Sequence, residues 1–262
     1  MKVAALYIYP VKSLRGVSLD TVRVRLRGFD RDRRWMLVDE DGTFFTQRTH
    51  PQLAEFEVAI AHDRLEVSFA KTGFISLPYF VAGRREHSVR VWDDKVKALE
   101  APEPVNKWFS RYLKKKCRLV YMPDSTMRRL DPKYSETEDA VSFADGYPVL
   151  LTSQGSLDDL SSRMGEDLPM DRFRANLVIS GASPWDEETW HRVRVGKATF
   201  RVVKPCPRCV VTTADQKTGE RGKEPLATLA TFRKKDGEVF FGMNLIPDAL
   251  AEISVGDEVE VL

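Results

Sequence analysis

The sequence predicts a mainly β protein with a few helices. Short runs of Val, Ile, Thr and Phe alternate with polar residues, turn formers separate them at close spacing, and few windows show helical periodicity. Closely spaced short strands favour a barrel over a parallel sheet. At 262 residues the chain suits one large domain or two modest ones, and either buries a real core. Lys plus Arg number 41 against 39 Asp plus Glu, so net charge makes no general case for nucleic-acid binding. No window approaches a bilayer-spanning apolar run, and the first ten residues are too short in their apolar part for a signal peptide, so no membrane partner is expected. Three cysteines, an odd number, suit a reducing cytoplasm better than a disulfide framework.

In order, residues 3–9 read as a strand closed by Pro10, and the loop after it carries Lys12 and Ser13, a cation and a hydroxyl able to hold an anion. Residues 21–26 alternate apolar with Arg, a half-buried strand. A basic run follows: Arg25, Arg27, Arg31, Arg33 and Arg34 crowd Asp30 and Asp32, and most such runs are solvated surface. Residues 35–38 and 43–48 flank Asp39-Glu40-Asp41-Gly42, which predicts a hairpin. Residues 57–61 and 64–69 make another strand pair. Val105, Trp108, Phe109 and Tyr112 share one face of a helix over 104–113, a core stripe, and Arg118–Tyr121 is a strand.

Periodicity vanishes over 122–139, so the domain junction is placed there, dividing the chain into 1–122 and 123–262. Beyond it come the turn 143–148, a strand at 149–151 and a helix bearing Leu157, Leu160 and Met164, capped by the preceding hydroxyls. A strand at 177–179, a turn at 193–196, a strand at 198–203, a short helix from Leu226 and late strands at 240–245 and 258–261 complete the pattern.

The stretch with chemistry is Lys204-Pro205-Cys206-Pro207-Arg208-Cys209, followed by Val210-Val211-Thr212-Thr213. Each proline removes a ladder donor, which predicts a loop between strands. Residues 210–213 make a poor first helical turn, unlike the helix that a thioredoxin-like thiol pair opens. A structural zinc site needs about four ligands, while Cys117 is remote and His50, His62, His87 and His191 show no ligand spacing. Two inert buried cysteines, a redox pair, zinc and a soft-metal thiolate ligand with Arg208 beside it are the alternatives that the residues leave open.

Six blocks in order resemble one family: Tyr9-Pro10-Val11-Lys12-Ser13, Asp32-Arg33-Arg34-Trp35, Thr46-Gln47-Arg48, Asp145-Gly146-Tyr147-Pro148, Phe173-Arg174-Ala175-Asn176 and Cys206–Asp215. The chain resembles MOSC proteins, with the MOSC N-terminal β-barrel-like domain before a MOSC β-barrel, and is similar to amidoxime-reducing components and bacterial reducers of N-hydroxylated bases. The resemblance implies a molybdenum-cofactor (Mo-molybdopterin) oxidoreductase acting on small N-hydroxylated compounds, or alternatively a non-catalytic cofactor carrier, sensor or sulfur-transfer protein. It implies Cys209 as the catalytic molybdenum ligand. Lys12, Ser13, Arg33, Arg174 and Arg208 would hold the pterin and its phosphate, and Asp145, Gly146, Tyr147, Asn176, Pro207 and Asn244 would line it. The basic clusters at Lys12, 27–34 and Arg174 would then share one target. Asn244 departs from the Tyr found in some relatives, and Ala175 from a Pro. Three cysteines cannot supply a four-thiolate iron–sulfur cluster, so electrons are expected from a separate ferredoxin-like or flavoprotein donor.

Overall fold

The computed structural model describes every residue except Lys71, Ala82, Arg84, Thr137 and Glu138. Thr137 and Glu138 belong to the expected junction, so that part of it lies outside the described residues. Strand dominates helix, as expected: three α-helices stand among four sheets in the described residues. None of these helices is long and apolar enough to cross a membrane.

The largest sheet curls into a barrel. Glu238–Ala249 is its spine, pairing with Ala198–Arg208 on one side and Val149–Ser153 on the other. The chain's first strand, Lys2–Ile8, pairs antiparallel with Leu177–Ser180. It also closes the circle towards Val259–Val261: Val3 N donates to Asp257 O and Val259 N to Met1 O, each at 2.9 Å. Inside sit Leu6, Ile8, Val149, Leu151, Phe200 and Leu245, all almost fully buried, because alternate residues of each strand share one face. Thr21–Arg25 likewise pairs with Glu252–Ser254. Strands within the first 25 residues are thus hydrogen-bonded to strands beyond residue 148 in two separate sheets.

The first half keeps its own core. The helix Glu103–Leu113 buries Val105, Phe109 and Leu113 against Phe56, Leu65 and Leu119. Trp35–Val38 was expected to pair with 43–48, but Val38 and Phe44 share only an isolated bridge. Its partner is Arg118–Tyr121, in continuous register from Arg118↔Val38 to Tyr121↔Trp35. The Asp39–Gly42 turn does form, with Gly42 at φ 79°. Residues 46–49 form a turn instead of a ladder strand, with Thr49 N donating to Thr46 O.

Two more expectations change. Val193–Gly196 is not simply a turn, since Arg192–Val195 is a strand between two neighbours. The helix Gln154–Met164 is capped by Ser153, whose Oγ accepts from Ser156 N at 3.0 Å. Its hydroxyls then donate to buried Glu187, so a carboxylate of the chain itself occupies that helix end.

The expected junction is packed. Buried Arg128 reaches across it, donating to Asp94 Oδ2 at 2.7 Å and to the carbonyls of Ser142, Ala144 and Asp145. Gly28 (φ 98°) lets the first half approach closely, because a Cβ there would stand 2.3 Å from Pro148 O.

Candidate functional site

Between the halves lies a cavity of about 350 Å³. All twelve candidate residues border it: Lys12, Ser13 and Arg33 from the first half, Asp145, Gly146 and Tyr147 from the loop after the junction, Arg174 and Asn176 from the segment just before Leu177–Ser180, Pro207 and Arg208 from the end of the strand Ala198–Arg208 with Cys209 just after it, and Asn244 from the spine.

The cysteine stretch differs locally from the expected loop. The strand Ala198–Arg208 continues through Pro205, Cys206 and Pro207, and the prolines sit where its register against Glu238–Ala249 shifts, so their missing donors break no regular ladder. Residues 210–213 form one 3₁₀ turn whose N-cap is Cys209, with Thr212 N donating to Cys209 O at 3.0 Å. In place of the helix that a thioredoxin-like thiol pair opens, this single turn follows Cys209. Both thiols are free and half-buried. Arg208 was expected beside the Cys209 sulfur, but its Nη1 lies 2.9 Å from Cys206 Sγ and its Nη2 donates to Phe173 O at 2.6 Å. Arg208 Nε is buried without a partner among the described residues. Among the described residues, no three His, Cys, Asp or Glu side chains converge as a metal cage.

Lys12 is 6% exposed, its Nζ donating to Phe143 O at 2.7 Å and to Asp145 Oδ1. Burial lowers its pKa to about 8, although Asp145 opposes the shift. Burial acts to raise Asp145 in turn, but the Lys12 charge, with hydrogen bonds from Lys12 and Trp92, outweighs it and holds the carboxyl well below its usual range. The Asp145 side chain is 66% exposed, so water in the cleft screens the pair. Ser13 takes a left-handed φ of 70° and donates to Phe45 O.

The second wall is built on Tyr9. This ring is buried, its hydroxyl donates to Ala175 O at 3.1 Å, and the guanidinium carbons of Arg33 and Arg174 lie 4.5 and 4.2 Å from its centroid. Gly16 permits this, since a Cβ there would meet Tyr9 Cε1 at 2.5 Å. Burial would lower the Arg33 pKa, but ion-paired Asp32 raises it above normal. Arg174 pairs with no carboxylate among the described residues and makes one long 3.4 Å hydrogen bond, to Gln216 Oε1. Burial lowers its pKa to about 10. Asn176 is committed to the frame: its Oδ1 accepts from Arg33 Nη1 and Leu150 N while Nδ2 donates to Tyr7 O. Asn244 Nδ2 donates to Lys204 O.

The basic run does not share one target. Only Arg33 reaches the cleft; Arg27 and Arg34 bind the carbonyls of residues 122–126, Arg25 and Arg31 lie near Asp30, and Arg31 covers the Tyr79 ring. Gln47, Arg48, Trp92, Lys204 and Cys206 also border the cavity; the sequence singled out Lys204 and Cys206 with the cysteine stretch but gave none of the five a role in the site. The Thr46-Gln47-Arg48 block was a signal for two of them; nothing local marked Trp92.

Comparison with known proteins agrees with this architecture. Residues 1–116 match the MOSC N-terminal beta barrel domain and residues 138–260 the MOSC domain. The mitochondrial amidoxime reducing component 2 of Rattus norvegicus is 34% identical, over 98% of this chain and 82% of that protein. Amidoxime-reducing component 1 of Mus musculus is 33% identical over 99% and 82%. The molybdenum cofactor sulfurase of Oryza sativa subsp. japonica is 33% identical over 92% of this chain but 32% of its own length. With both domain models matched in order and such identity along nearly the whole chain, this protein belongs to the MOSC family, as an N-terminal MOSC barrel domain followed by a MOSC domain.

Proposed function

We propose that the protein is a molybdenum-cofactor enzyme that reduces small N-hydroxylated compounds by two electrons, taken from a separate ferredoxin-like or flavoprotein donor. One observation supports this above the rest: a free thiol and an excess of cations meet in one cleft formed by both halves of the chain. Lys12, Arg33, Arg174, Lys204 and Arg208 border it against the carboxylate of Asp145, with Asp32 behind Arg33. That donor set fits a pterin phosphate and a soft metal. Arg174 has spare donors and Arg208 Nε is orphaned, so both lack an acceptor that the phosphate or the polar pterin edge would supply.

Cys209 would be the protein's sulfur ligand. Arg33, Arg174, Arg208, Lys12 and Ser13 would hold the phosphate and the polar pterin edges, while Asp145, Gly146, Tyr147, Asn176, Pro207 and Asn244 would form the walls. When bound, the group supplies a two-electron redox centre. The chain's own contribution is to orient the substrate, restrict water and keep a proton on Lys12 Nζ at neutral pH. The reaction balances as R–NHOH + 2e⁻ + 2H⁺ → R–NH₂ + H₂O. Three free cysteines suit a reducing compartment such as the cytoplasm.

The likeness to the rice molybdenum cofactor sulfurase favours a second reading, a cofactor carrier, sensor or sulfur-transfer protein without turnover. Loading the protein with cofactor and supplying reduced viologen and benzamidoxime separates the two, because only the reductase consumes substrate. Cys209→Ala is expected to abolish turnover with an unchanged circular-dichroism spectrum; full activity would defeat the assignment.

A further inference from the structure

Trp92 stands in the turn between the strands Glu86–Val91 and Asp94–Glu100 with φ 53°, left-handed backbone that a bulky residue keeps only where its surroundings hold it. The indole is 37% exposed yet held at three points. Its Nε1 donates to Asp145 Oδ1 at 3.2 Å, Phe44 meets it edge-on at 5.0 Å, and the Arg48 guanidinium carbon lies 4.5 Å from a ring centroid. Arg48 is itself exposed and has no carboxylate partner among the described residues. Both residues border the same cavity as Cys209.

We propose that Trp92 and Arg48 form a substrate-recognition wall that selects planar aromatic N-hydroxylated compounds carrying an anionic substituent. This rests on the reductase function above and adds its substrate class. An indole has two faces; Arg48 covers part of the ring, and the exposed remainder offers π surface to a second flat group. The guanidinium is a free fork, matched to a carboxylate. Position separates this wall from the cofactor seat: Lys12 is almost fully buried, whereas Trp92 and Arg48 face the water through which a substrate arrives. An aliphatic substrate leaves the indole wet and the arginine unpaired.

The test uses full-length, cofactor-loaded protein with reduced viologen and three compounds: 4-carboxybenzamidoxime, benzamidoxime and acetamidoxime. Trp92→Leu is expected to lower the aromatic-to-aliphatic ratio of kcat/KM about tenfold, with Trp92→Phe retaining most of it. Arg48→Gln is expected to lower the carboxylated-to-uncarboxylated ratio about fivefold. Molybdenum content should match the unsubstituted protein. Equilibrium dialysis of 4-carboxybenzamidoxime against oxidised protein gives a readout independent of turnover, and its Kd should rise in Trp92→Leu and Arg48→Gln. Equal losses on all three compounds, unchanged ratios, or lost molybdenum with ratios intact would overturn the wall. Failure of the unsubstituted protein to reduce any of the three would overturn the reductase function instead, and dialysis would then judge the wall alone.

Discussion

Arg174 and Arg34 are both largely withdrawn from water, and their donors have opposite fates. Arg34 spends its guanidinium on Met122 O and Asp124 Oδ1, and its neighbour Arg27 does the same with the carbonyls of Pro123, Asp124 and Thr126. These two tie the basic run to the connector between the halves. Arg174 lies over Tyr9 with one long hydrogen bond, so most of its fork is unspent in a polar cavity. Arg33 stands between the extremes, anchored by Asp32 and Asn176 while bordering the same cavity. The difference teaches that a ligand-binding arginine is recognised by donors left over after its protein partners are counted, not by the charge density around it in sequence.

The largest effect expected from this contrast is on Arg174. Arg174→Met should lower affinity for inorganic phosphate, and retention of the pterin, by about 10²-fold through loss of charge-assisted hydrogen bonds, read by calorimetry and by metal and pterin content. Retention of cofactor at full stoichiometry would erase the distinction. Next comes the platform. Tyr9→Leu should weaken phosphate binding about tenfold because both guanidinium groups lose their ring, whereas Tyr9→Phe keeps the ring and most of the affinity. Equal losses in the two variants would mean that the hydroxyl bond to Ala175, not the π surface, places the arginines.

Arg34→Gln should leave phosphate affinity within about twofold while costing about 1 kcal/mol of stability, a fall of roughly 2–4 °C in Tm by calorimetry. The smallest expected effect is on pH dependence. Below about 8 Lys12 is cationic, and above it the folded protein loses that charge while Asp145 stays ionised, so anion affinity should weaken as pH rises from 7 to 9. Lys12→Met should flatten that slope.

Much of the fold was legible because it depends on local periodicity. Of the stripe at Val105, Trp108, Phe109 and Tyr112, the first and third became buried and the other two pack half-buried against the same core, and the Asp39–Gly42 turn formed as its residues demand. What failed was pairing at a distance. Residues 43–48 had the alternation of a strand, yet Arg118–Tyr121, some eighty residues away, fits Trp35–Val38 with a full antiparallel register. The Pro-Cys-Pro stretch remained extended because shifted register on a long strand absorbs missing donors that would break a regular ladder. Trp92 joined the cleft through a left-handed turn that no dipeptide signal announced.

Local sequence pattern alone determined that this chain is β-rich with few helices, and the resemblance of short blocks supplied the expectation that Cys209, Lys12, Arg33, Arg174 and Arg208 belong to one site. Both rest on side-chain type and short-range order. Tertiary structure alone decided which arginines keep donors free, that Arg208 turns to Cys206, and that Arg48 and Trp92 meet at the rim. The reason is physical: a hydrogen-bonding group is satisfied by whatever carbonyl, carboxylate or ring folding brings within about 3–4 Å, and those partners lie scores of residues away along the chain.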